Sequence, residues 1–471
     1  MNDEHLPATG HPERSARTRA GLTLAALLVV ACGINVAHML RYTELSPIDE
    51  AQHLDSLIRI PRGDLIGSGE RMGQETLRIQ TCQRIDSPFD EAVPPCQPAD
   101  GPYLDPATFQ EEGYNTAFIH PPTYYMVGGV LARGIDVVLP GDHDLLTTGR
   151  LAGLTWVVGS VVFLWLLLAE LGAGLLGRSS LILLAVTAPT VLHASATINP
   201  DGTALLTGAA LLWATLRWER GRMTTWVPLA LVGLAAAIKV TNLVGVAVVV
   251  AYLVVRAVNS TDEEGLRSTR FGLKERFWQP ESRARRLLTM AGGLVVVVGV
   301  VSFGWFVAQR VLQEAPPSTI PMVSRYEITS FPLVEMASSW SQTVSPLQTP
   351  YLPDILQTDG VMAMAAIVAM LIVVGAVAGT ILAVRGSRER SLGVCALVLL
   401  PLLGPLLVLF NAIVQGLYVV IPSRYGLALI PALLAAAVPA LRYRTSLVVA
   451  GSAAVLAVGS LALALVAAPP A

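Results

Sequence analysis

The chain has 471 residues, 53% of them apolar and 14% charged, with a formal net charge of −2 and a mean hydropathy of +0.58. That is too apolar for an ordinary soluble domain, and the small net charge hides a segregation of basic and acidic residues into different loops, so it says nothing about partners; no nucleic-acid partner is expected. The composition describes an all-α polytopic membrane protein.

The first 20 residues are polar and carry Arg14, Arg17 and Arg19 just before an apolar run over residues 21–40. The run is long enough to cross a bilayer and lacks a small-x-small cleavage site, so it reads as an uncleaved first helix after a cytoplasmic tail, residues 1–20. The flanking arginines put the next stretch, residues 42–148, on the extracytoplasmic side. Within this loop residues 124–139 are moderately apolar but short and carry Arg133 and Asp136, which suits an amphipathic helix on the outer surface.

Parity supports that choice. A basic stretch with Arg256, Arg267, Arg270, Lys274, Arg276, Arg283, Arg285 and Arg286 should be cytoplasmic, so an odd number of crossings separates it from the outer loop. Residues 150–171, 181–198, 203–218 and 226–255, the last long enough for two helices hinged at 239–242, supply about five. Residues 287–309, 361–384, 392–414, 426–441 and 446–467 continue the alternation, with a Pro-rich outer loop at 310–360, for about eleven crossings in all. Cys32 and Cys395 fall in apolar spans, whereas Cys82 and Cys96 share the first outer loop and can pair if it faces an oxidising compartment.

With this orientation several polar residues converge on the outer side. In SPIDEAQHLD a helix starting near Pro47 sets Asp49 and His53 four residues apart on one face, with Glu50 beside them. The acids also suit the first turn of a helix, yet an acid pair at a membrane edge is costly unless hydrated or used. His120, Tyr124 and Tyr125 lie in NTAFIHPPTYYMV, where two prolines fix an extended entry to the surface helix and the tyrosines also suit an interfacial belt. Asn199 and Asp201 open a helix in NPDG, and Asp201 would cap it. Arg424 and Tyr425, at the outer start of another helix, break the positive-inside pattern, so a phosphate or carboxylate partner is expected. Lys239, in an otherwise apolar hairpin, either snorkels or binds an anion. No P-loop, zinc-type Cys/His spacing or Gly-rich dinucleotide loop occurs, so ATP hydrolysis and redox chemistry lack their usual signatures.

PIDEAQHL after the first helix, HPPTYY before the surface helix, NPDG opening a helix and SRYGLALIPALL near the end resemble the polytopic GT-C glycosyltransferases, most closely a large bacterial family of predicted membrane proteins without assigned function. The resemblance covers residues 21–434, including the loop 42–148; residues 435–471 add C-terminal membrane helices. It implies a bacterial plasma-membrane enzyme with an extracytoplasmic active site. The enzyme would move a sugar from a lipid-linked polyprenyl-phosphate donor to a cell-envelope acceptor, with inversion.

Carried over by position, Asp49 or Glu50 is the first-loop catalytic acid and Asp201 the second-loop acid. Arg424 meets the donor phosphate, and His53, His120, Tyr124, Asn199, Lys239 and Tyr425 line the substrate pocket. A divalent cation, magnesium or manganese, is the one cofactor admitted, with Asp49 and Asp201 as ligands; the second loop has a single acid where metal-dependent members often carry two. The alternatives are a secondary transporter or flippase for an anionic or lipid-linked substrate, and a non-catalytic membrane scaffold. Transporters place ionisable residues at the midplane of broken helices, often in repeated halves, and no repeat is visible here.

Overall fold

A computed structural model describes residues 11–86, 93–141, 143–265, 282–328, 330–343, 347, 352–416, 418 and 421–467. Arg267, Arg270, Lys274 and Arg276 of the basic stretch lie outside the described residues. In chain order the helices are α1 (His11–Arg41), α2 (Glu50–Arg59), α3 (Gln74–Gln83), α4 (Thr123–Val138), α5 (Leu145–Ala152), α6 (Leu154–Glu170), α7 (Leu175–Val186), α8 (Pro189–Ala196) and α9 (Ala204–Glu219). They continue as α10 (Trp226–Ile238), α11 (Leu243–Gly265), α12 (Arg283–Leu312), α13 (Pro321–Arg325), α14 (Leu333–Thr343), α15 (Asp359–Leu382), α16 (Arg388–Gln415), α17 (Ile430–Ala437) and α18 (Arg444–Ala467). Among the described residues the only strand-like pairings are two isolated bridges, Leu45 to Ile85 and Arg71 to Tyr114.

The protein is a multi-pass membrane protein. Among the described residues eight helical stretches are long and apolar enough to cross a bilayer, or nine if α7 and α8, bent by 68° at their junction, form one span. The expected count of eleven is not confirmed. The shortfall lies in α9 and α10, which have 16 and 13 residues, below the roughly 20 needed to span hydrocarbon unaided. The hinge expected at 239–242 is present: Lys239 is extended, and a 3-10 turn from Val240 to Asn242 separates α10 from α11. The expected surface helix is α4, 16 residues long, and it packs on α2 and α5.

The bundle closes around α17. Every residue of this alanine-rich helix is buried, and it packs against α9, α15 and α16. Small residues let the backbones meet: a Cβ on Gly208 of α9 would collide with the Ala428 carbonyl, and one on Gly379 of α15 with that of Ala436. In a membrane, where apolar contact alone does not favour one helix neighbour over lipid, such close approach is what van der Waals cohesion requires.

The described residues of 42–144 form a cap over one end of the bundle with its own core, including Leu54, Leu57, Leu77, Phe109, Tyr124 and Tyr125, against which Ile198 packs. Asp55 of α2 holds the cap together by accepting from Gly73 N at 2.8 Å, Thr76 Oγ1 at 3.0 Å and Asn115 Nδ2 at 2.8 Å. Cys82 and Cys96 are joined in a disulfide, as the sequence allowed. The segment following α12 docks on this cap: Glu314 N and Ala315 N donate to Ser68 O at 2.9 and 3.0 Å, and Arg325 pairs with Glu111.

Candidate active site

The site begins at the turn into α2. Asp49 occupies the N-cap position but has φ 58° and ψ 19°, a left-handed conformation costing a non-glycine residue about 1–2 kcal/mol, and its side chain makes no capping bond. The capping explanation for this acid therefore fails.

Glu50, expected to share catalysis with Asp49, has a different position. It is 0% exposed, and its carboxylate accepts from Ser46 N at 2.8 Å, Ile198 N at 2.8 Å, Arg150 Nε at 2.9 Å and Arg150 Nη2 at 2.7 Å. Arg150 of α5 also donates to the carbonyls of Tyr42 and Glu44, both at 2.5 Å. With both oxygens filled and no solvent path, Glu50 has neither the freedom nor the lone pair to take a substrate proton. It ties the α2 turn to Ile198, and so sets Asn199 to Asp201 beside Asp49.

The cap expected of Asp201 is made by Asn199 instead. Asn199 Oδ1 accepts the Asp201 N–H at 2.9 Å, which leaves the aspartate side chain to face two other segments, the 239–242 hinge and the turn at Arg424. Its Oδ1 meets Lys239 Nζ at 2.8 Å and Thr241 Oγ1 at 3.3 Å, and its Oδ2 meets Arg424 Nε at 3.0 Å. Lys239 and Arg424 also sit over the Tyr425 ring, 5.5 and 5.4 Å from its centroid. Lys239 is therefore buried and paired rather than snorkelling.

The cap supplies the remaining wall. His53 Nδ1 and Tyr125 OH are 2.8 Å apart, the His53 and His120 rings lie 5.5 Å apart, and Tyr124 stacks on Trp156 at 5.8 Å.

Electrostatics separates the two aspartates. Burial raises the Asp49 carboxyl above the usual range, against the pull of Arg424 and Lys239. At Asp201 burial also opposes ionisation, but Lys239 and Arg424 overcome it and hold the group below that range. Burial drives His53 well below its ordinary value, with His120 and Lys239 adding to it, and takes His120 to about 3, helped by Lys239. The imidazoles are thus neutral at pH 7. The site consists of a paired Asp201, two cations, an Asp49 carboxyl of raised proton affinity and neutral aromatic walls.

Asp49 and Asp201 as a metal pair do not fit this donor set, because both Asp201 oxygens already face cations; among the described residues no group of three His, Cys, Asp or Glu side chains could hold an ion. We derive no step through a metal.

Arg150 and Thr241 were not singled out as site residues from the sequence. Arg150 carried a usable signal, a lone arginine leading an apolar run. A second group behind the site carried none: Ser46 Oγ lies 2.9 Å from His193 Nε2, and His193 Nδ1 lies 3.3 Å from His38 Nε2, all buried. Ser46 Oγ also accepts from Ile48 N at 3.2 Å, which props the strained Asp49 turn from α8.

Compared with models of protein families and with curated proteins, the sequence matches none. Among solved structures, the chain is similar to ArnT from Cupriavidus metallidurans bound to undecaprenyl phosphate, with 18% identity and a TM-score of 0.47, over 91% of this chain and 60% of that one. ArnT from the same organism in the apo state gives 15% identity and a TM-score of 0.36, over 95% and 78%. The S. cerevisiae protein O-mannosyltransferase Pmt1-Pmt2 complex bound to the sugar donor gives 12% identity and a TM-score of 0.38, over 64% and 35%. The chain spans about three fifths of the length of the undecaprenyl-phosphate-bound ArnT.

Proposed function

We propose that this chain is a membrane glycosyltransferase that moves a sugar from a polyprenyl-phosphate carrier to an extracytoplasmic hydroxyl acceptor in the cell envelope. One observation carries the reading. Asp49, the acid whose side chain does not cap its helix, stands at a pocket where Lys239 and Arg424 supply two positive charges against the single paired carboxylate of Asp201. A fixed cationic pocket beside a free carboxylate is what transfer from a phosphate leaving group needs.

The step balances as follows. The acceptor oxygen forms a bond to the anomeric carbon as the bond from that carbon to the phosphate oxygen breaks, with inversion. The acceptor proton passes to Asp49, and the electron pair leaves with the polyprenyl phosphate. Asp49's raised proton affinity makes its carboxylate a better base than that of an ordinary aspartate. Among the described residues Arg424 engages Asp201 through Nε alone, so Nη1 and Nη2 can point at the phosphate, and Lys239 adds a second charge. His53, His120 and Tyr124 bound the sugar side as neutral surfaces. The carrier chain lies among the apolar helices.

The test is transfer of labelled sugar from a polyprenyl-phosphate donor in membranes by the wild type, Asp49→Asn and Arg424→Ala. Product formed only by the wild type supports the assignment, and equal product from all three overturns it. Movement of the donor across the bilayer without transfer would favour a flippase. Orientation is tested by cysteine labelling: an impermeant reagent should reach a cysteine at position 136 and spare one at position 270, with the reverse placing the site on the cytoplasmic side.

A further inference from the structure

Residues 109–114, FQEEGY, make the most constrained turn of the cap. Glu111 and Glu112 both adopt left-handed backbone angles, φ 54° in each, next to Gly113 at φ 72°. Two consecutive non-glycine residues in this region are costly and persist only where the surroundings fix them. The fixing contacts are clear. Met72 N donates to Gly113 O at 2.8 Å, Asn115 N to Glu70 O at 3.0 Å and Tyr114 N to Glu111 O at 3.1 Å. Gly113 lies so close to Pro106 that an added Cβ would collide with it.

The turn delivers one carboxylate into the protein. The Glu111 side chain is 12% exposed, and its Oε1 pairs with Arg325, which comes from the segment after α12 and is 59% exposed. Oε2 is buried with no hydrogen-bond partner among the described residues. A charged oxygen withdrawn from water and left without a donor is expensive, and the cost is relieved when a donor enters. Asn115, which closes the turn, donates from Nδ2 to Gln52 O at 3.3 Å and to Asp55 Oδ2 at 2.8 Å, so the turn is fixed against α2, the helix that Asp49 begins. Glu112, its neighbour, points to solvent and is exposed.

We propose that Glu111 is a further substrate-binding residue of this site, its free oxygen accepting a hydrogen bond from a hydroxyl of a polyhydroxylated substrate. This rests on the glycosyltransferase reading above. The hydroxyl can belong to the donor sugar or to the acceptor, and the same chemistry serves both. In this arrangement Arg325 holds one oxygen so that the other is presented in a fixed direction, and the strain of the turn is the means of aiming it.

The experiment measures KM for donor and acceptor separately, with kcat, on folded protein normalised by thermal melting. The variants are Glu111→Met, Glu111→Gln, Arg325→Met and, as the control, Glu112→Gln. A hydrogen bond to a charged oxygen predicts a KM rise of about 10- to 100-fold for one substrate in Glu111→Met, a smaller rise in Glu111→Gln, which keeps a neutral acceptor, and little change in kcat. Whichever KM moves identifies the source of the hydroxyl. Arg325→Met should raise that KM less than Glu111→Met, and Glu112→Gln should match the wild type. Unchanged KM values in Glu111→Met overturn the proposal. So do equal KM rises in Glu111→Met and Arg325→Met, which would reduce Glu111 to a link between the two segments. A wild type that transfers no sugar, indistinguishable from Asp49→Asn, overturns the reading beneath it instead.

Discussion

The two ends of α9 carry the same device for different ends. Asp201 stands just before its first residue and Glu219 is its last, and each is a carboxylate buried among cations. Glu219 is saturated: Tyr252 OH approaches at 2.5 Å, Arg256 Nε at 3.1 Å, Arg283 Nη2 at 2.7 Å and Arg388 Nε at 2.9 Å. It gathers α9, α11, α12 and the start of α16, and Arg256 reaches on to the Gly386 carbonyl. An acid at a helix C-terminus is disfavoured by the helix dipole, so several cations are needed to hold it there. Asp201 sits at the favourable end, and its two cations share a pocket with a second carboxylate, Asp49, and with neutral histidines. The number of ion pairs therefore does not mark a site. What distinguishes Asp201 is the unfilled chemistry next to it.

The largest expected difference between the two acids of α9 is in rate. Asp49→Asn should lower transfer by about 10²- to 10⁴-fold, the usual worth of a positioned general base, with melting unchanged. Glu219→Gln should leave the rate per folded molecule within about twofold; a large loss there would mean that both ends of α9 serve the chemistry.

Next in size is the clasp at Glu50. Removing one partner of a buried pair leaves an uncompensated charge, so Glu50→Leu or Arg150→Met should cost about 3–5 kcal/mol of stability, read as a lowered melting temperature. A variant that melts normally yet has no activity would return Glu50 to the catalytic group. Glu219→Gln, which keeps the shape and several hydrogen bonds, should cost less, about 1–3 kcal/mol.

The smallest effect is a separation on the pH axis. Asp49 must be ionised to act, and its proton affinity is raised, so activity should fall about tenfold per pH unit below a midpoint higher than that of an ordinary aspartate. Asp201 is depressed in the folded state. Its contribution to stability is present above the unfolded value, about 3.9, and is lost only as pH falls through the lower folded value. Activity should thus disappear at a pH where the protein still melts cooperatively; coincident loss of both would contradict the division of labour between the two aspartates.

Much of this was legible in the chain. The apolar runs, the short amphipathic α4, the hinge at Lys239 and the pairing of Cys82 with Cys96 follow from length, hydropathy and loop composition. The convergence of Asp49, His53, His120, Asp201, Lys239 and Arg424 followed from orientation and resemblance together. The roles within that group were less legible. Asp49 and Glu50 are adjacent acids with the same local pattern, and only the contact with Arg150, 100 residues away, fills one and leaves the other. The span count is not confirmed because α9 and α10, apolar enough in sequence, have only 16 and 13 residues.

That the chain lives in a membrane, which segments are helical and which polar residues are too costly to be idle can be read from the residues alone, because transfer energies and helix length act residue by residue. Only the tertiary structure decided which carboxylate is clamped, which is paired and which retains a free oxygen. Those properties depend on what a side chain meets from distant segments, on Ile198 and Arg150 at Glu50, on Lys239 and Arg424 at Asp201, and on Arg325 at Glu111.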